Sequence, residues 1–393
     1  MMRTRILQGG LLGVLALAAA YLAWDWQFWV RHFRSPGDET LLYDIDWYNP
    51  RARIAEGLGR EIPRATAAES SLDPQALAAV VDYAKSKDSY AFLVLANGRI
   101  EAEIYKDGFG PETLFDSQSM HKGLFGLVFG AAVDAGTIPS IDVPAATYLP
   151  EWRNDARSAI TIRDLLANVS GLAEPPFSEK PWSDAYRMFM GSHIDRLVLG
   201  VPAAEPPRTR YAFNHVNSQV LHVILTRATG KTYVDFIREK IWTPLGNGAA
   251  QVRLDREGGS ARVICCMQTQ PRSWARVAQM LLDGGKVGDR QVISPEWIAK
   301  ATTPGALNPN AGFHVQIGQP APRRTTTARA QQTRATEPFA VPDVYYLEGR
   351  GGQRTLWIPS KQIAVIRFGK IDFTWDDAKV VNPLIAGLKP AQP

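Results

Sequence analysis

Residues Ser119-Met-His-Lys-Gly-Leu-Phe-Gly-Leu-Val-Phe-Gly-Ala-Ala-Val133 open on the only Ser-x-x-Lys of the chain and continue as an apolar run of helical length. On a helix, positions i and i+3 share a face, so the Lys122 amine is placed to reach the Ser119 hydroxyl. A serine by itself is a poor nucleophile at neutral pH. Burial beside apolar side chains lowers a lysine's pKa, which turns the amine into a proton acceptor for that hydroxyl. The helix amino terminus adds a positive field where an oxyanion would form. The bland alternative is an N-capping serine followed by an exposed lysine.

Outward from this helix, the pattern is strand-rich at the ends and helical in the middle. Tyr90 to Ala96 and Arg99 to Tyr105 flank Asn97-Gly98, the preferred type I′ pair, and Ile100, Ala102 and Ile104 alternate with Glu101 and Glu103. A hairpin with one solvated face is predicted. Asp73-Pro74 opens a helix bearing Leu77, Val80, Val81 and Ala84 on one side. Helical periods follow at Lys122 to Ala135, Ile162 to Ala167, Ser218 to Ala228, Tyr233 to Ile241, Trp274 to Leu282 and Pro295 to Ala301. Strands return at Thr355 to Ile358 and Ile363 to Phe368, with a closing helix from about Val381 to Leu388. Strands at both ends with helices between them predict one α+β domain over residues 73–393, its antiparallel sheet assembled from distant segments around a helical subdomain.

Several further segments, taken with Ser119 and Lys122, resemble the penicillin-recognising serine hydrolases: class C β-lactamases, DD-peptidases, related esterases and 6-aminohexanoate-dimer hydrolases. Ile160-Thr-Ile-Arg-Asp-Leu-Leu-Ala-Asn-Val-Ser-Gly-Leu172 looks like that family's ITIRxLLxxxSGL segment. Pro244-Leu-Gly246, Leu282-Asp-Gly-Gly285 and Ser294-Pro-Glu-Trp297 fall where it has similar punctuation. The pattern is closest to the 6-aminohexanoate-dimer branch, and the likeness covers roughly Leu77 to Leu388. It implies a β-lactamase-like fold and catalysis through an acyl-enzyme on Ser119.

Two family motifs are altered. Where relatives have Tyr-x-Asn or Tyr-Ser-Ser, the register fixed by Val216-Asn-Ser-Gln-Val-Leu221 gives Phe213-Asn214-His215. Phe213 cannot transfer a proton. His215, in the Asn-like position, and Tyr211, two residues before Phe213, are the candidates to do so; a histidine that only bonds loop backbone is the competing reading. Where relatives have Lys-Thr-Gly or His-x-Gly, this chain has Leu347-Glu348-Gly349, then Arg350-Gly-Gly-Gln353. The resemblance assigns the oxyanion hole to the N–H groups of Ser119 and Arg350 and lets Arg350 partly replace the missing basic residue. Gly349 and Gly352 belong to the substrate-facing wall, as do Phe213 and Tyr186. Phe177 and Trp182 are further candidates for an apolar acyl pocket, although glycines in such a strand also make bulges and aromatic loop residues usually just pack.

Composition removes other classes. The 44 Lys plus Arg against 39 Asp plus Glu leave a net charge of +5 over 393 residues, too little for a nucleic-acid footprint. Cys265 and Cys266 are the only cysteines and are adjacent, so neither a disulfide framework nor a cysteine zinc site is expected. HExxH, Walker and GxSxG motifs do not occur, and the reading needs no metal and no cofactor. Arg323, Arg324, Arg329 and Arg334 sit among Thr, Ala and Gln in what reads as a solvated loop.

The amino terminus reads as a separate unit. Arg3 and Arg5 precede nineteen residues, Ile6 to Trp24, in which Gln8 is the only strongly polar member, close to the ~20 a helix needs to cross a bilayer. Tyr21, Trp24, Trp26, Phe28 and Trp29 extend it as an interfacial aromatic belt. Residues 1–34 are therefore read as an anchor, with a signal peptide cleaved after Ala18-Ala19-Ala20 as the rival. Residues 35–72 read as a tether that wraps the domain. The chain is expected to be an inner-membrane protein whose periplasmic domain cleaves a small ester, amide or peptide-like substrate. A catalytically weak binding or regulatory protein of the envelope is the alternative, because motif two lacks its tyrosine and motif three its lysine.

Overall fold

The computed structural model describes residues 21, 24–176, 178–318 and 335–390. Most of the Ile6 to Trp24 run and the arginines from Arg323 to Arg334 lie outside them, as does Phe177. Among the described residues, no helix is long and apolar enough to cross a membrane.

Asp25 starts helix α1 (Trp26–Arg34) by accepting from the Phe28 N–H. Phe28 is fully buried among Trp47, Tyr48, Tyr186 and Met190. The Arg31 guanidinium, 1% exposed, sits in a cage of backbone carbonyls from Asn49 (2.9 Å), Met190 (2.6 Å) and Asp255 (2.8 Å). Burial lowers its pKa to about 10. The anchor reading of residues 1–34 is corrected here, because residues 25–34 are part of the domain's packing, and Phe28 is core rather than belt. The tether is corrected as well: residues 35–72 supply strand β1 (Arg51–Ala55), which pairs antiparallel with Ala250–Arg253, and bury Leu42, Trp47 and Tyr48.

These contacts set an expected result for truncation. Removing residues 1–20 leaves the fold intact, whereas removing 1–34 deletes Phe28 and orphans the carbonyls around Arg31. A loss of at least ~3 kcal/mol is expected, the scale of a buried Phe truncation. Denaturant melts of the two truncations check this; equal stability would mean that α1 is dispensable.

Beyond β1 come α2 (Pro74–Ser86), β2 (Ser89–Ala96), β3 (Arg99–Tyr105), β4 (Phe115–Asp116) and α3 (Met120–Asp134). The helical segment holds α4 (Ile162–Leu166), α5 (Asp184–Met190), α6 (Ile194–Leu199), α7 (His215–Thr229) and α8 (Tyr233–Ile237). After β5 (Ala250–Arg253) and β6 (Gln268–Thr269) follow α9 (Pro271–Leu282), the small hairpin β7 (Lys286–Val287) and β8 (Arg290–Gln291), and α10 (Pro295–Ala301). The chain closes with β9 (Gln316–Gly318), β10 (Val344–Gly349), β11 (Gln353–Ile358), β12 (Ile363–Gly369) and α11 (Ala378–Ala386).

The main sheet is antiparallel in the order β3-β2-β12-β11-β10-β9. Its central strands are buried on both faces, and the period of two separates the cores. Phe92, Val94 and Val365 face α2 and α11, while Leu93, Leu95 and Ile366 face the helical half. The predicted hairpin forms, with Asn97 and Gly98 at φ 48° and 77°. Its solvated face does not: the Glu103 carboxylate, 1% exposed, is held by Arg272 at 2.7 Å and also bonded by Arg64 and Tyr105. These cations and the Tyr105 hydroxyl hold its pKa below the ordinary range, against desolvation that pushes it up.

Helix α3 is buried on all sides through Ala132. Its glycines explain how: at Gly130 any Cβ would collide with the Trp297 ring, and at Gly123 with Leu347 of β10. The first turn of α3 therefore lies directly against β10.

Candidate active site

Ser119 precedes α3 and makes no capping hydrogen bond with its side chain, unlike Thr161 and Asn214, which cap α4 and α7 in the usual way. Its Oγ instead receives a hydrogen bond from Lys122 Nζ at 2.8 Å. Lys122 is 1% exposed. Both halves of the bland alternative, a capping serine and an exposed lysine, are thereby excluded by geometry.

The turn before Ser119 is fixed from several sides. Gln118 adopts φ 51°, its N–H bonds Asp116 Oδ1 at 2.8 Å, and its carbonyl accepts from Cys266 N–H at 3.0 Å. The Ser117 N–H donates to Met267 O at 2.9 Å. Asp116 in turn pairs with buried Arg253 at 2.7 Å. Cys265 and Cys266 are joined to each other in a vicinal disulfide, a link between adjacent residues and not a framework between separate segments. His121, between Ser119 and Lys122 in sequence, faces away from them: Nδ1 meets Cys265 O at 3.0 Å and Nε2 meets the Tyr233 hydroxyl at 2.9 Å. Burial lowers its pKa to about 4, which keeps the imidazole neutral beside the lysine. Sequence reasoning did not single out His121; a polar residue inside so apolar a helix was the available signal.

Motif two reaches the same place. The Phe213 ring centroid lies 5.1 Å from Lys122 Nζ, so the assigned register puts this ring beside the lysine, where relatives have a tyrosine. His215 begins α7, its ring edge-on to Phe213 and Phe189 at 6.0 and 5.3 Å. Tyr211 is buried, next to Ala212, whose N–H bonds Asn168 O at 2.9 Å. A polar relay ties the Ile160 to Leu172 segment to this motif: Ser170 Oγ donates to Asn217 (2.6 Å), Asn217 to Asn168 (3.0 Å), and Asn168 to His314 Nδ1 (3.2 Å).

This arrangement gives a decisive set of variants. Phe213→Tyr is expected to raise turnover, because a hydroxyl is restored beside Lys122; loss of folding would show the ring to be structural. His215→Ala is expected to lower turnover by about 100-fold, the scale of a lost proton donor, with Tyr211→Phe near neutral. The reverse pattern would move the donor to Tyr211.

At motif three, Gly349 approaches the turn before Ser119 closely: a Cβ there would lie 2.7 Å from Ser117 O, a clash that any other residue would bring. Four residues expected at the substrate wall make other contacts or stand exposed in the structure. The Arg350 side chain is paired with Asp38 of the N-terminal segment at 2.6 and 2.8 Å, both groups being partly exposed. Gly352, at φ 86°, packs against Arg367 and Trp375. Tyr186 belongs to the α1 contact, its hydroxyl 2.8 Å from His32 Nδ1, and Trp182 is 72% exposed. Tyr186 lies in α5 and Trp182 just before it, and no local sequence signal distinguishes their environments. Gln353, fully buried, braces the motif by donating to Arg350 O and Gly369 O and accepting from Gly369 N–H. Among the described residues, no group of acidic, His or Cys side chains could hold a metal ion.

Comparison with known proteins places this geometry in context. The Beta-lactamase family profile matches residues 77–387. The 6-aminohexanoate-dimer hydrolase of Paenarthrobacter ureafaciens is 28% identical over 230 residues, 55% of this chain; the chain spans only 57% of that relative. Among solved structures, a Bacillus anthracis protein titled as a 6-aminohexanoate-dimer hydrolase superposes with TM-score 0.69 at 15% identity, covering 88% of this chain and 92% of that one. A family VIII carboxylesterase superposes with TM-score 0.62 at 16% identity, covering 81% and 98%. At these identities the structural likeness shows the fold.

Proposed function

This chain belongs to the Beta-lactamase family, and we propose that it is a membrane-anchored serine hydrolase that cleaves an ester or amide through an acyl-enzyme on Ser119. The observation that carries the reading is the 2.8 Å hydrogen bond from buried Lys122 to a serine hydroxyl free of capping duty. Lys122 takes the Ser119 proton as Oγ attacks the carbonyl; the proton then passes to the leaving alcohol or amine, and water releases the acyl group. The backbone N–H groups of Ser119 and Arg350 form the oxyanion hole. Supporting this, neither N–H donates a hydrogen bond to another described residue. Gly349 lets the end of β10 approach the turn before Ser119, because a Cβ there would meet Ser117 O at 2.7 Å.

Leu347 in place of the motif-three lysine removes the cation that would hold a substrate carboxylate. Uncharged esters and linear amides are therefore favoured over β-lactams. The anchor is the apolar run from Ile6 to Trp24, with the domain on the periplasmic side of an inner membrane.

A fluorophosphonate probe, followed by a screen of esters, linear amides and β-lactams, tests the reading on the purified full chain. Labelling of Ser119 with turnover of an ester or amide supports it. Labelling without turnover of any substrate supports a second reading, a binding or regulatory protein of the envelope. The observation favouring that second reading is Phe213, a ring with no proton to give, beside Lys122.

A further inference from the structure

We propose that the outer face of α1, formed by Trp26, Val30 and Phe33 and extended by Trp24 and Trp182, seats the catalytic domain on the lipid interface of the bilayer. The proposal rests on the anchor reading above and adds an orientation to it.

Helices on a water-facing surface turn apolar residues inward and polar ones outward. In α1 the order is partly inverted. Arg31 points inward at 1% exposure, whereas Trp26, Val30 and Phe33, spaced i, i+4 and i+7 on one side, are 61%, 39% and 78% exposed. Trp24 is 61% and Tyr21 43% exposed, so residues 21–33 hold five of the ten exposed large hydrophobics among the described residues. That concentration separates this patch from the scattered apolar exposure of ordinary surfaces. On the other flank of the helix, where Trp24 meets His193 and Arg187, Trp182, 72% exposed, and Trp24 line a groove of about 820 Å³ together with Pro175, Leu197, Pro202 and the charged Asp184 and Arg196.

The occupant follows from the chain that leads into the patch. Tyr21 and Trp24 are helical, and the apolar run ends at Trp24. The next residue, Asp25, is fixed to the domain: it is 4% exposed, accepts from the Ser192 N–H at 3.2 Å and from the Ser192 hydroxyl, and pairs with Arg187 at 3.4 Å. No slack separates the membrane run from this fixed point. At ~1.5 Å of rise per helical residue, α1 lies within a few residues' length of the bilayer surface and meets it with tryptophan and phenylalanine. Such side chains partition into the headgroup boundary, as in helices that lie in the membrane plane.

The test uses the full chain in phosphatidylcholine–phosphatidylglycerol vesicles. Phe33→Cys carries an environment-sensitive fluorophore; Cys265 and Cys266, bonded to each other and 4% exposed, do not compete for it. Trp182→Cys provides a second site, and Asp289→Cys, on the exposed β7–β8 hairpin, is the aqueous reference. The expected result is a blue shift at positions 33 and 182, with emission lost to nitroxides at headgroup depth, and neither change at 289. Chain that pellets with vesicles while labels 33 and 182 stay as wet as 289 overturns the docking and leaves the anchor standing. A blue shift without nitroxide quenching also overturns it, by showing the face to be covered by a second copy or by the chain itself. Chain that remains in the supernatant removes the anchor reading and this inference together.

Discussion

Ser119→Ala is expected to abolish covalent labelling by a fluorophosphonate and to reduce hydrolysis by at least ~10³-fold, as loss of an attacking hydroxyl does in acyl-enzyme hydrolases. The structure makes this variant informative because the hydroxyl has no other duty. Its side chain does not cap α3, and the turn that presents it is held by Gln118, Ser117 and Met267 through backbone atoms. The melting temperature of the variant should therefore stay close to that of the parent. Activity retained by purified Ser119→Ala would place the nucleophile elsewhere, and a large drop in melting temperature would recast Ser119 as structural.

Lys122 carries the second large effect. Lys122→Ala is expected to slow acylation by at least ~100-fold, the usual scale for a lost general base. Because Lys122 is nearly fully buried, alanine also leaves a hole against Phe213, so Lys122→Met, which restores most of the volume, separates packing from chemistry. Lys122→Arg separates charge from proton transfer: it keeps a cation next to Ser119, yet a guanidinium does not give up its proton. If Lys122 is the base, all three variants acylate slowly. A fast Lys122→Arg would mean that only the positive charge is used, and a fast Lys122→Met would transfer the base role to another group, with His215 and Tyr211 first in line.

Motif two shows how far a resemblance extends and where geometry takes over. The register carried by Val216 to Leu221 predicts Phe213 in the tyrosine position, and the ring lies beside Lys122. The same resemblance gave Gly352, Tyr186 and the Arg350 charge to the substrate, and in the structure they meet Trp375, His32 and Asp38. The difference is one of range. Phe213 is two residues before a helix that begins at His215, whereas Arg350 and Asp38 are brought together by folding over 312 residues of chain.

What the sequence alone determined is the set of features governed by neighbours within a turn or two: the Ser119–Lys122 pair one helical turn apart, the Asn97-Gly98 hairpin, and the α+β alternation of periods. Helix and hairpin geometry fix such contacts whatever else the chain does. Tertiary structure decided which polar groups are buried and against what. Glu103 reads as the solvated side of an alternating strand, but Arg272, 169 residues away, encloses it. Arg31 reads as the flank of an anchor, but carbonyls from Asn49, Met190 and Asp255 surround it. A buried charge depends on partners that satisfy it, and here those partners come from remote segments, so no local pattern of residues could announce them.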